Sequence, residues 1–413
     1  MKENNINFQL EIVPSMETAF QPAIENIARE LFDLYDSFQA AEITSCRITH
    51  ADMLRWLRPL REHKLFTKVP LGTSGEGRTI SLYATGTGSI KALLWSQMHG
   101  DEPTATMALV DLFNFLVKHP DHTVTKAMRN NLTLLVIPML NPDGAERFTR
   151  RTAQLIDMNR DALALVTPEA RILKETCTQY QPEYGFNLHD QDTRLTVGTT
   201  KKITAMALLA PPSDASGTDT PGRVRAKKVA SICAQILNLF IPGSLAKWDE
   251  PYEPRAFGDN IQNWGTSTLL IESGGWKGDP NKFFLRKLNC IALLTTLYAI
   301  ATGEIAHADT RIYEQIPYNM KLGCDYIIRN ATLQSNDQTA PLRVDVGLNF
   351  ELRRNDSKDA YERFATIVEL GDLRTFTAGE EESDAQGAEL EAARVKLDHS
   401  FSASEVPLLF KQR

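Results

Sequence analysis

The sequence predicts an α/β fold: a mixed, mostly parallel central sheet flanked by helices, with a small C-terminal β-rich domain. Three observations carry this. Apolar runs of strand length alternate with helix-period segments between about residues 66 and 302, the pattern of a sheet covered on both faces. Several of these runs end in turns rich in His, Asp, Glu and Asn, where ligands bind in open α/β sheets. Beyond about His307 the chain changes to short alternating or apolar stretches without a helical period.

Each element has its own signal. Residues 17–40 read as a helix, with Ala19, Ile24, Ile27, Ala28, Leu31, Leu34 and Phe38 near a 3.6-residue spacing. Lys91–Ser96 reads as a buried strand, and Pro103–Lys118 as a helix with proline at the favoured first position. Asn131–Pro138 is a second buried strand, closing on Asn141-Pro142-Asp143-Gly144. Thr167-Pro168-Glu169 caps a helix to about Gln179. Gly185–Leu188 is strand-like, Gly222–Phe240 helical, and Thr266–Ile271 a buried strand. Asp279-Pro280 opens a last helix to about Thr302. Tyr326–Ile328, Leu342–Leu352 and Phe364–Leu370 supply the β-rich tail, and acidic Gly379–Asp384 reads as a solvated loop within it. The expected organisation is an N-terminal helical segment (1–64), an α/β domain (65–307) and a β-rich domain (308–413).

Charge and composition exclude several classes. The 413 residues hold 45 Lys and Arg against 52 Asp and Glu, a net charge of −7, which argues against a nucleic-acid partner. No uninterrupted apolar run reaches the roughly 20 residues that span a bilayer, and Met1–Asn7 lacks the apolar stretch of a signal peptide. Cys46, Cys177, Cys233, Cys290 and Cys324 are dispersed and odd in number, so reduced thiols are expected rather than a disulfide framework. A soluble, cytoplasmic protein without a membrane partner is the expectation. Nothing in the pattern sets the oligomeric state.

The chemistry gathers at strand ends. His99-Gly100-Asp101-Glu102 follows the first buried strand, His189 follows Gly185–Leu188, and Glu272 closes Leu269-Leu270-Ile271. Two imidazoles and one carboxylate with an open fourth position form the ligand set of a catalytic zinc site. Glu272 costs desolvation unless it is paired or used, and its placement suits a general base acting on water. In Asp157-Met158-Asn159-Arg160-Asp161 the arginine fork can grip a carboxylate, with Asn159 as a second donor. The competing reading is a surface ion pair of Arg160 with Asp157 or Asp161.

In this order the motifs resemble the zinc carboxypeptidase family, the carboxypeptidase A-like metallopeptidases. The resemblance starts at Leu71-Gly72-Thr73-Ser74-Gly75-Glu76-Gly77-Arg78-Thr79-Ile80, similar to the family's G-x-S-x-E-G-R-x-I segment, and runs to about residue 302. It implies that His99, Glu102 and His189 bind Zn2+ and that Glu272 activates water for attack on an amide carbonyl. It further implies that Asn159 and Arg160 hold the substrate's free carboxylate. An arginine upstream of the Asn-Arg pair would steady the oxyanion; Arg151 fits best, with Arg150 a close competitor and Arg147 behind both. Tyr252, 20 residues before Glu272, stands near the family's substrate-loop tyrosine, two residues out of register.

Two departures stand out. Leu155 occupies a position that is commonly glycine, and Asp161 follows the Asn-Arg pair where asparagine is usual. Asp190-Gln191-Asp192 after His189 reads either as orienters of the metal site or as solvated loop acids. The expected substrate is a peptide or an acylated amino acid with a free carboxylate. Succinylglutamate desuccinylases and aspartoacylases share the zinc scaffold and carry a C-terminal β domain, which keeps N-acyl amino acid hydrolysis as the alternative. A non-catalytic binding protein is the third reading.

Overall fold

The computed structural model describes residues 22–61, 63–248, 251–334, 338–354 and 361–411. Of the helix expected over 17–40, residues 17–21 lie outside these. The remainder forms α1 (Pro22–Leu34) and a 3-10 turn over Tyr35–Ser37. α2 (His50–Trp56) follows, started by a capping box in which Thr49 and Asp52 each accept from the other's backbone N–H.

Strands β1 (Thr67–Thr73), β2 (Thr79–Thr85), β3 (Ile90–Ser96), β4 (Leu132–Ile137) and β5 (Tyr184–Asp190) open the main sheet. After the short β6 (Thr196–Val197), it is completed by β7 (Met206–Leu209), β8 (Leu245–Lys247) and β9 (Ser267–Ser273). The eight strands run in the order β1-β2-β4-β3-β5-β9-β7-β8. β3 pairs in parallel with β4 and β5, β9 with β5, and β8 with β7, whereas β1–β2, β2–β4 and β7–β9 are antiparallel. This is the mixed, mostly parallel sheet expected. Its central strands carry apolar side chains on both faces and are buried almost throughout.

Helices cover both faces. α3 (Thr104–Lys118) and α4 (Thr123–Asn131) connect β3 to β4, and α5 (Pro142–Arg147) and α6 (Pro168–Tyr180) connect β4 to β5. α7 (Pro221–Asn238), α8 (Phe257–Asn263), α9 (Phe283–Ala301) and α10 (Thr310–Glu314) complete the set. Pro103 is the cap residue of α3 rather than its first helical position. Thr167 caps α6 as expected, its hydroxyl oxygen accepting from Ala170 N–H at 3.2 Å. α9 starts at Phe283, later than Asp279-Pro280, because the Asp279 carboxylate accepts the N–H groups of Phe283, Phe284 and Leu285.

α9 packs against α1, α3, α4 and α7. It is the one described helix long and apolar enough to cross a membrane, and it is buried on nearly every side, as befits a core helix. The N-terminal segment joins the same core through Ile24, Ala28, Leu31, Phe38 and Leu57. All five cysteines are free thiols, and four of them are buried.

The β-rich tail begins with β10 (Asn319–Met320), which pairs with β6. β11 (Gly323–Leu333), β12 (Leu342–Arg354), β13 (Tyr361–Gly371), β14 (Thr377–Asp384) and β15 (Ser400–Ser402) form a separate sheet, ordered β14-β11-β12-β13-β15. Ile328, Val346, Leu348, Ile367, Leu390 and Leu409 fill its core. The acidic stretch Gly379–Asp384 is not a loop but part of the edge strand β14, parallel to β11, with Glu382 paired to Arg329. Charged side chains are tolerated there because an edge strand faces water and charge discourages further pairing.

This second sheet is seated on the loop that follows β5. Arg194 Nε donates to Asp325 Oδ2 at 3.0 Å, and its terminal nitrogen donates to the Phe350 carbonyl at 3.0 Å. A Cβ on Gly323 would come within 2.0 Å of the Arg194 carbonyl oxygen, so only glycine permits the approach.

Candidate metal centre

The site is assembled from turns at the carboxyl ends of β3, β4, β5 and β9. The buried carboxylate of Asp143 organises the first of them. It accepts from Ser74 Oγ at 2.7 Å, Glu76 N–H at 2.9 Å and Arg78 at 2.6 Å. The Ser-x-Glu-Gly-Arg segment and the Asn-Pro-Asp-Gly turn are thus one interlocked unit, and Asn141 Oδ1 caps α5 by accepting from Gly144 N–H. That turn presses on the His99–Glu102 turn. A Cβ on Gly100 would sit 1.9 Å from the Gly144 carbonyl carbon, which explains glycine between the histidine and the acids.

Within this frame the three expected ligands come together. Glu102 Oε1 lies 2.7 Å from His99 Nδ1 and Oε2 lies 2.6 Å from His189 Nδ1, with the two rings 4.8 Å apart. All three side chains are buried, and one candidate ligand atom from each falls within 4.8 Å of the others. His99 Nε2 lies 3.1 Å from Asp157 Oδ1. With Nε2–H given to that carboxylate, Nδ1 is the nitrogen left to coordinate, a tautomer assigned from the hydrogen-bond network. Two imidazole nitrogens and a carboxylate, buried and backed by a second carboxylate, fit a zinc ion with an open position.

The electrostatics follow from this crowding. Burial alone would raise the Glu102 carboxyl, but the flanking imidazoles outweigh it and hold it well below the usual carboxylate range. Asp157 is held low in the same way by His99 and Arg150 against its own burial. Burial pulls His99 down, yet Glu102 and Asp157 more than compensate and push it up to about 8. For His189 burial dominates and lowers the imidazole.

Glu272 is buried at the end of β9, directly across from His189 in the parallel register. The arginine that reaches the cluster is Arg150, not Arg151. Arg150 Nε donates to Asp157 Oδ2 at 2.9 Å, and its terminal nitrogen lies 3.2 Å from His99 Nδ1 and 3.4 Å from Glu102 Oε1. Arg151 is exposed and donates to the Leu155 carbonyl at 3.0 Å. Consecutive residues in an irregular turn diverge, so sequence position alone does not choose between them. Leu155 adopts a left-handed backbone, φ 62°, which explains why glycine is common there.

Asn159 and Arg160 sit on a 3-10 turn capped by Asp157. Asn159 Oδ1 accepts from Phe257 N–H at 2.9 Å, which fixes the amide and leaves Nδ2 as its donor. Arg160 Nε lies 3.3 Å from Glu253 Oε2, and Glu253 is also gripped by Arg255 at 2.8 and 2.9 Å. The competing reading, a pairing of Arg160 with Asp157 or Asp161, is not formed; its ion pair is with Glu253 instead. Asp157 serves His99 and Arg150, and Asp161 caps the Thr167 turn through 2.8 Å bonds. Tyr252 is half-buried beside Glu253, in the loop tied to the Asn159–Arg160 turn.

The acids after His189 divide. Asp190 is buried against Thr104 and Lys282, and Asp192 is half exposed and bonded to Arg194. Sequence reasoning missed Lys282 and Glu253. No motif marks them, because each reaches the site from a distant loop.

Fold and site together define an α/β protein with a candidate His-Glu-His metal site at the carboxyl edge of a mixed sheet. The family model described as zinc carboxypeptidase matches residues 53–201, a little over a third of the chain. The matched stretch includes all three ligand candidates and stops short of Glu272. Carboxypeptidase 2 of Trichophyton rubrum is 30% identical over 104 residues, 25% of this chain and 19% of that protein. The alignment thus spans about a fifth of the length of such curated relatives. Among solved structures, a metallo-carboxypeptidase from Burkholderia cenocepacia has a TM-score of 0.50 at 17% identity, covering 61% of this chain and 69% of that one. A metallo-carboxypeptidase from Pseudomonas aeruginosa, solved with (2-guanidinoethylmercapto)succinic acid, has a TM-score of 0.50 at 17% identity, covering 62% and 69%. At these identities the likeness is one of fold.

Proposed function

We propose that the protein is a zinc-dependent carboxypeptidase that hydrolyses the amide bond next to the free C-terminal carboxylate of a peptide. The observation that carries this reading is the convergence of His99 Nδ1 and His189 Nδ1 on the two oxygens of Glu102, within reach of Arg150 and one strand from Glu272. His99, Glu102 and His189 would hold a zinc ion, which would supply Lewis-acid polarisation and an acidified water. Glu272 takes the proton of the attacking water and hands it to the leaving amine. The Arg150 guanidinium, anchored by Asp157, faces the negative charge that develops on the carbonyl oxygen. Arg160 and Asn159 Nδ2 bind the substrate carboxylate, which fixes the scissile bond before the chemistry begins. The unpaired thiols suit a reducing compartment, and a cytoplasmic location is part of this proposal.

Metal analysis combined with a substrate panel tests the reading. One zinc per chain is expected, lost in His99→Ala and His189→Ala, together with release of the C-terminal residue from free peptides. Preferred turnover of N-acetyl or N-succinyl amino acids would move the assignment to a deacylase. Glu272→Gln is expected to keep the zinc and lose hydrolysis; retained turnover would remove Glu272 as the base.

A further inference from the structure

Two strand ends of the site meet at one cation that no motif marks. Lys282 stands at the start of α9 in a left-handed backbone conformation, φ 55° and ψ 30°, uncommon for a residue with a side chain. The capping is done by Asp279, three residues earlier. Lys282 Nζ instead reaches back to the sheet, donating to Asp190 Oδ2 and to the Ser273 carbonyl, each at 3.2 Å.

Both partners stand one residue beyond the chemistry. Asp190 follows His189, Ser273 follows Glu272, and the two pairs face each other in the β5–β9 register. The Asp190 side chain is only 5% exposed, so its charge is desolvated and costly without a partner. Thr104 Oγ1 donates to the same oxygen at 2.7 Å, and Asp190 N–H donates to Glu102 Oε2 at 3.2 Å. Asn289, about two turns further along α9, donates to Ser273 Oγ at 2.8 Å.

We propose that Lys282 is a positioning residue for the metal site: its ammonium fastens the strand end carrying His189 to the strand end carrying Glu272. Through Asp190 the same cation holds the backbone N–H that orients the Glu102 carboxylate. The inference rests on the zinc carboxypeptidase reading and adds a role for a residue outside the ligands and the base. A purely structural ion pair would affect stability; a positioning residue also changes metal affinity and turnover in the folded protein.

The test uses the full chain and two readouts. Zinc affinity is measured by competition with a chromophoric chelator, and steady-state hydrolysis of a free peptide is followed at saturating zinc, well below the melting temperature. For Lys282→Met, zinc affinity is expected to fall about 10- to 100-fold, as for other residues that orient ligands. kcat is expected to fall at saturating zinc while KM stays near the wild-type value. Lys282→Arg keeps the cation and is expected to recover most of both losses. Lys282→Gln carries the same comparison if the methionine variant does not fold. Wild-type zinc binding with unchanged affinity and kcat in the folded variants overturns this inference alone. A wild-type chain that takes up no zinc overturns the carboxypeptidase reading and this inference with it.

Discussion

Asp157 Oδ1 lies 3.1 Å from His99 Nε2, while the other oxygen of the same carboxylate takes Arg150 Nε at 2.9 Å. One side chain thus orients a metal-ligand candidate and Arg150, the arginine proposed to meet the developing charge. Asp157→Asn keeps the size of the side chain and removes its charge. A loss of about 10- to 100-fold in zinc affinity is expected, with a lower kcat at saturating zinc. Chelator competition and steady-state kinetics on the same sample check it; unchanged affinity would contradict the role.

The two neighbouring arginines differ sharply in what they touch. Arg150→Ala is expected to lower kcat by about 10²- to 10³-fold, the usual loss for one oxyanion donor. Arg151→Ala, which removes only a bond to the Leu155 carbonyl, is expected to leave turnover near the wild-type level. Kinetics of the pair check the assignment, and the reverse order would return the role to Arg151.

Zinc binding at this site is expected to depend on pH in a defined direction. In the metal-free fold His99 is pushed up to about 8, so its proton competes with the metal below that pH. Glu102 and Asp157 stay ionised across the neutral range because both are held low. Zinc affinity is therefore expected to weaken about tenfold per pH unit from 8 down to 6.5, one proton being displaced per metal bound. The sign reverses for the stability of the metal-free fold. A histidine raised in the folded state contributes fully below its unfolded pKa near 6.5, and that contribution is lost as pH rises through about 8. Isothermal titrations at several pH values check the first expectation, and a flat profile would contradict it.

The N-terminal segment is held by a buried ion pair. Asp111 and Arg286 are fastened by two bonds of 2.6 and 2.7 Å, and the same carboxylate accepts from Tyr35 Oη and Ala40 N–H. Asp111→Ala leaves the guanidinium buried without its partner, and a loss of about 3–5 kcal/mol in stability is expected. Urea denaturation of both proteins checks it. A loss below about 1 kcal/mol, the scale of an exposed pair, would mean that water reaches the site.

The strands and helices around the site were legible because their signals are local. Buried parallel strands read as apolar runs, and Thr167 with proline after it marks a helix start whatever surrounds it. The grouping of the candidate ligands was legible because His99, Glu102 and His189 each lie at a strand end or in the turn after one. What stayed hidden depends on contacts far apart in sequence. Arg150 and Arg151 are equivalent as letters, and only the left-handed turn at Leu155 and the pull of Asp157 separate them. Lys282 lies 92 positions from the carboxylate that it binds. The acidic run in β14 reads as a loop because its partner strand β11 begins more than fifty residues earlier.

The most direct test compares one peptide in two forms, with a free and with an amidated C-terminus, using the zinc-loaded chain. Release of the terminal residue from the free form alone is expected, since Arg160 and Asn159 need a carboxylate to grip. Equal turnover of both forms, or none of either with zinc bound, would contradict the reading of this site as a carboxypeptidase.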